Sequence, residues 1–145
     1  MNRKKPWLEN YPECASEELV FDPRGTLVKL LDEADTNYSS SEAFVNFGVS
    51  MKYEQVAKDS KSFAAYLQNV LGLRKGDRIA MMMPNLLQYP VAIFGALRAG
   101  LIVVNVNPLY TPRELEHQLR DSGAKTIIIF ENSAHVLQPV LDNVT

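Results

Sequence analysis

The chain contains one cysteine, Cys14, so no intrachain disulfide can form, and a reducing compartment is the natural setting. No histidine lies near Cys14 in sequence, so an inert or semi-buried thiol is expected there rather than a nucleophile. The two histidines, His117 and His135, have no cysteine or carboxylate at ligand spacing, which leaves no metal-site pattern. Neither a Ser–His–Asp nor a Cys–His arrangement can be assembled, and no catalytic residue is assigned. The seven glycines never stand one residue apart, so the G-x-G-x-x-G turn that cradles a dinucleotide is missing. Gly95 and Gly100 have the glycine spacing of a P-loop, but Leu101 and Ile102 stand where Lys and Ser or Thr would be needed. Gly95 is expected to let a helix approach the sheet, and Gly100 to end that helix. A formal charge of −2 gives no electrostatic basis for nucleic-acid binding. No targeting segment is expected: Arg3, Lys4 and Lys5 are followed by Pro6, Glu9, Asn10 and Pro12 instead of an apolar stretch. The uncharged run Ile79 to Leu97 is interrupted by Pro84, Asn85, Gln88 and Pro90, which lipid-facing backbone would not absorb.

What is present is a globular composition, 46% apolar and 22% charged, enough for a core. Residues 1–26 show no steady period and read as an extended N-terminal arm. Its Trp7, Leu8, Tyr11, Leu19, Val20 and Phe21 are expected to pack onto a neighbour. Residues 27–145 read as the first part of an α/β unit. Thr26 caps a helix over Leu27 to Tyr38, with Leu27, Leu30, Leu31 and Ala34 on one face. Ala43 to Phe47 and Ser50 to Tyr53 form a short β-hairpin around Gly48. Val56, Ala57, Ser60, Phe63, Ala64, Leu67, Val70 and Leu71 fall on one helical stripe. Glu54 and Lys58 pair on the opposite side, and Gly72 ends that helix in the C′ position.

Strand and helix then alternate. Arg78 to Met83 is an apolar strand suited to burial on both faces. Gln88 to Ala99 is a helix with Pro90 in its first turn. Leu101 to Val106 is the next strand. Thr111-Pro112-Arg113-Glu114 is a capping box with proline at the first helical position. Leu115 and Leu119 face inward, His117 faces solvent, and Gly123 stops the helix. Thr126 to Phe130 is a third strand, and Ala134 to Val144 a last helix. This order implies a parallel-sheet subdomain with flanking helices and right-handed crossovers. Ligands in such sheets meet the carboxyl ends of the strands, so the segments to watch are Pro84-Asn85, Asn105 to Tyr110, and Glu131-Asn132. Met81, Met82 and Met83 are read as core, and Arg74, Lys75, Asp77 and Arg78 as a solvated turn.

The wording of these segments adds a further expectation. Lys75-Gly76-Asp77-Arg78, Pro84-Asn85, Leu97-Arg98-Ala99-Gly100, Asn105 to Leu115 and Asp121 to Lys125 resemble adenylate-forming enzymes. The fuller string Val103 to Leu119, with Trp7-Leu8 and Tyr11-Pro12, resembles bacterial long-chain fatty acyl-coenzyme A synthetases of the AMP-forming type. The resemblance implies a fragment of the large N-terminal domain of the adenylate-forming fold. The parent enzyme would use ATP, Mg2+ and coenzyme A to convert a long-chain fatty acid to acyl-CoA, AMP and pyrophosphate through an acyl-adenylate. The family's phosphate loop, adenine and ribose motifs and catalytic lysine have no match in these residues, so the 145-residue chain is expected to be inactive alone. The resemblance also places Asn107, Pro108, Leu109 and Tyr110 at the coenzyme A entrance. It implies a cytoplasmic parent, with peripheral association at the inner face of the cell membrane as a secondary expectation. Uncovered sheet edges would favour self-association, for instance as a homodimer. The alternative is a stand-alone, non-catalytic acyl-binding or oligomerisation module.

Overall fold

The computed structural model describes residues 5–12, 14–15 and 25–144. Within the expected arm, Leu19, Val20 and Phe21 lie outside the described residues. Pro6–Asn10 is a 3-10 turn rather than extended chain, because proline at its start pre-sets the helical φ. Trp7 and Tyr11 are about half exposed, at 53% and 49%, instead of being packed away. Cys14 is exposed as well, not semi-buried.

A three-stranded parallel sheet organises the rest. Strand β3 (Arg78–Met82) is central, between β4 (Ile102–Asn105) and β5 (Thr126–Ile129). Ahead of it come helix α1 (Leu27–Tyr38), the antiparallel hairpin β1 (Glu42–Asn46) and β2 (Val49–Lys52), and helix α2 (Tyr53–Asn69). Ile79, Ala80, Met81 and Met82 are all at most 1% exposed, as the unbroken apolar run of β3 requires. Side chains alternate across the pleat. Ile79 and Met81 enter a core with Ala64 and Leu67 of α2 and with Ala92 and Ala96 of α3 (Gln88–Arg98). Ala80 and Met82 enter a second core with Leu115 and Leu119 of α4 (Pro112–Ser122). Each crossover helix therefore covers its own face.

Several local expectations shift. In α1 only Leu31 is buried, while Leu27 and Leu30 are 59% and 61% exposed. Helix α2 ends before Val70 and Leu71, which are exposed. Gly72 lies one position later than the expected cap, at φ +68°, and lets the Leu73 N–H reach the Leu67 carbonyl at 3.0 Å. On the outer face of α2 the close i,i+4 contact is Gln55 to Asp59 at 2.7 Å, not Glu54 to Lys58. Ala134 to Val144 is not one helix: single turns Ala134–Leu137 and Leu141–Val144 are separated by the 3-10 turn Gln138–Val140. Pro139 is the cause, since it has no N–H to donate and its ring crowds the preceding turn.

Gly95 is also reassigned. It serves helix-to-helix contact, not contact with the sheet. A Cβ there would stand 2.7 Å from Phe63 Cδ1 and 3.2 Å from the Ser60 carbonyl, both on α2. Beside this contact, the mostly buried Arg98 guanidinium donates to Ser60 Oγ at 3.0 Å and to both carboxylate oxygens of Asp32. One side chain thus ties α3 to α2 and α1. These hydrogen bonds from Arg98 hold the Asp32 carboxyl below its ordinary value against the opposing effect of burial. Because the folded pKa is depressed, the stabilisation is complete above the unfolded value and is lost as pH falls through the folded one. Asp32 is 45% exposed, so solvent screens the pair. Asp32→Asn is expected to cost about 0.5–1 kcal/mol at neutral pH. The difference from the unmodified chain should shrink from about pH 4 downward; urea melts at several pH values would show it.

Candidate functional site

The two crossovers run in opposite directions across the sheet. Helix α3 carries the chain from β3 to β4 over one face, and α4 carries it from β4 past β3 to β5 over the other. They therefore have the same hand. The direction of travel across the sheet reverses at β4, so the loops leaving the carboxyl ends of the parallel strands β3 and β4 part to opposite faces. That is the topological switch point, where ligands enter open α/β sheets. The segments singled out from sequence, Pro84-Asn85 and Asn105 to Tyr110, follow the carboxyl ends of β3 and β4 at this point; Glu131-Asn132 lies at the end of β5 on the far side of β3.

Asn105, the last residue of β4, is held from both layers. Tyr89 on α3 donates its hydroxyl to Asn105 Oδ1 at 2.8 Å. Gln118 on α4 donates Nε2 to the Asn105 carbonyl at 2.8 Å. The next residue, Val106, is buried and donates its N–H to the Met81 carbonyl at 2.9 Å. The loop that follows is a tight turn. Asn107 Oδ1 accepts from the Leu109 N–H at 3.0 Å, and the Asn107 carbonyl from the Tyr110 N–H at 3.1 Å. An Asx-type turn of this kind substitutes a side chain for a backbone acceptor. Pro108 is half-buried, Tyr110 packs against the α4 core, and Leu109 projects at 86% exposure.

Helix α4 begins immediately after, with the capping box in place. Thr111 Oγ1 accepts from the Glu114 N–H, and Glu114 Oε2 accepts from the Thr111 N–H at 2.8 Å. Hydrogen bonds from the Thr111 backbone, then from its hydroxyl, lower the Glu114 carboxyl from its ordinary value. Glu114 is thereby committed to the cap and is not a proton donor at neutral pH. His117 is exposed beside it, on the side of α4 away from Leu115 and Leu119. Among the described residues, no three histidine, cysteine or carboxylate groups gather closely enough to hold a metal ion.

On the other side of the crevice an apolar groove of about 540 Å³ opens between the hairpin and the start of α3. Phe44 and Val45 form one wall, and Leu86, Pro90, Ile93 and Phe94 the other. Asn46 Nδ2 donates to the Asn85 carbonyl at 2.7 Å and pins the hairpin to the β3 loop. The volume and lining fall in the range of small-molecule sites. Sequence reasoning missed this groove and the hydrogen bonds that Tyr89 and Gln118 make to Asn105. The only local signal for those bonds was a lone asparagine inside the apolar run 101–106.

Residues 31–144 match the family of AMP-binding enzymes, and the chain belongs to it. More particularly, it is similar to bacterial long-chain-fatty-acid–CoA ligases. It is 59% identical to that of Salmonella typhimurium over 139 residues and 57% identical to that of Escherichia coli over 139 residues. In each case 96% of this chain and 25% of the relative are covered. The fold matches the crystal structure of a long-chain-fatty-acid-CoA ligase from Archaeoglobus fulgidus at a TM-score of 0.76 and 27% identity, covering 85% of this chain and 26% of that one. The chain thus spans about a quarter of the length of these relatives, their N-terminal quarter.

Proposed function

We propose that these residues are the N-terminal part of a long-chain fatty acid–CoA ligase, which joins a fatty acid to coenzyme A with ATP through an acyl-adenylate. The supporting observation is the 57–59% identity to ligases of that name across 96% of the chain. In this reading the segment contributes sheet and passage wall, and the groups that stabilise the transferring phosphoryl and acyl charges come from other residues of the full-length enzyme. Among the described residues no cluster of three histidine, cysteine or carboxylate groups is placed to hold Mg2+. The Asn107–Tyr110 loop forms part of the coenzyme A entrance, a role that fits its place at the switch point and the exposed Leu109. In this reading the parent enzyme is cytoplasmic, and any contact with the membrane is peripheral. No described helix is long and apolar enough to cross one.

The isolated 145-residue chain, given ATP, Mg2+, a long-chain fatty acid and coenzyme A, is expected to release no pyrophosphate. The full-length enzyme containing it is expected to release pyrophosphate in proportion to acyl-CoA formed. Turnover by the isolated chain would refute the assignment. The open apolar groove favours one alternative, an acyl-binding module. Saturable micromolar binding of fatty acid to the isolated chain, together with an inactive full-length protein, would support that alternative.

A further inference from the structure

Gln118 combines two properties that a purely structural residue would not need. Its Nε2 is bonded to the Asn105 carbonyl, while its Oε1 is buried and accepts no hydrogen bond among the described residues. A buried acceptor without a donor lowers stability. An apolar side chain of the same length would fill the space without that cost. What only the amide supplies is a donor to the last carbonyl of β4, which is an edge strand.

The opposite layer supplies a matching tie. Tyr89 is one residue into α3, and its hydroxyl reaches Asn105 Oδ1. Asn105 is thus held by one helix from each face of the sheet, on the strand where travel across the sheet reverses. Two residues on, the Asn107 turn begins. Inside that turn the bonds are local, from Asn107 to Leu109 and Tyr110. They fix its shape but not its placement over the crevice. Placement is set at its two ends: by the α4 cap and Tyr110, which packs against the α4 core, on one side, and by Asn105 with the buried Val106 on the other.

We infer that Tyr89, Asn105 and Gln118 act as a two-sided clamp, positioning the Asn107–Tyr110 loop for the substrate that passes it. They are positioning residues, not catalytic ones. The inference rests on the reading of that loop as part of a substrate passage. Its first expected substrate is coenzyme A.

The test uses the full-length ligase and the variants Gln118→Met and Tyr89→Phe. Each deletes one donor and keeps the side chain's size. Steady-state KM for coenzyme A, fatty acid and ATP, kcat and the thermal midpoint are measured for each. Loss of one orienting hydrogen bond should raise KM for coenzyme A about fivefold in either variant, with kcat within about twofold. The Gln118→Met midpoint should be unchanged or higher. A comparable rise in KM for fatty acid or ATP alone would keep the clamp and overturn the coenzyme A reading of the loop. Unchanged KM values for all three substrates would overturn the clamp. A lowered midpoint with a proportionate fall in kcat would also overturn it, because that is the signature of a merely structural tie.

Discussion

Gly95→Val is expected to destabilise this chain by about 3 kcal/mol, at the upper end of the usual cost of overpacking a close contact. Even a single methyl at this position would stand 2.7 Å from Phe63 Cδ1, 3.1 Å from Phe63 Cβ and 3.2 Å from the Ser60 carbonyl. The ring can rotate away, but the carbonyl belongs to the backbone of α2 and cannot. Gly95→Ala separates the causes. Alanine gains about 1 kcal/mol in helix propensity, which offsets part of the contact, so it should fall within about 1 kcal/mol of the unmodified chain. Valine adds two further methyl groups to the same closed space and loses side-chain freedom in the helix. The prediction is checked by urea unfolding of both variants. A Gly95→Val variant as stable as the unmodified chain would mean that α2 and α3 do not pack as described. The consequence would extend to the Arg98 network, which depends on the same approach of the helices.

Leu115→Ala is expected to cost about 3 kcal/mol, within the range for deleting most of a fully buried leucine. Leu115 is 0% exposed and packs in the core that holds Ala80, Met82, Val106 and Leu119. The rigid β3 strand cannot collapse into the space, because its opposite face is anchored by Ile79 and Met81 in the other core. The loss should concentrate at α4. Amide exchange in α4 should therefore accelerate more than in α3. Equal acceleration in both helices would show that the two faces unfold as one unit and that the division into two cores has no energetic meaning.

These two positions illustrate how far the chain can be read without its structure. Leu115 is legible. It follows a capping box, its partner Leu119 lies one turn on, and Gly123 closes the helix in the left-handed region at φ +65°. Every one of those signals is local. The β3 strand is legible for the same reason, since four consecutive apolar residues leave no polar face to expose. Gly95 is only half legible. Its smallness announces a close approach, but whether the neighbour is sheet or helix depends on how α2 and α3 are oriented. The break at Pro139 is legible in principle, yet the apolar residues on either side of it suggest a continuous helix. The Asn107–Tyr110 turn is recognisable as a strand-end loop, whereas the two ties to Asn105 are not. They connect residues 16 and 13 positions apart across different layers.

The sequence by itself determined the alternation of strands and helices, their caps and most of their ends. It also carried the family likeness, written in the turns between elements. Hydrophobic period, proline, glycine and capping side chains act over one to four residues, and their meaning does not depend on the rest of the fold. Tertiary structure alone decided the strand order β4-β3-β5 and which face each helix covers. It also decided that the reversal of travel across the sheet at β4 brings Tyr89 and Gln118 to the same asparagine. Those outcomes depend on the hand of each crossover and on the direction the chain takes across the sheet. Both are properties of packed layers, which no short window of residues encodes.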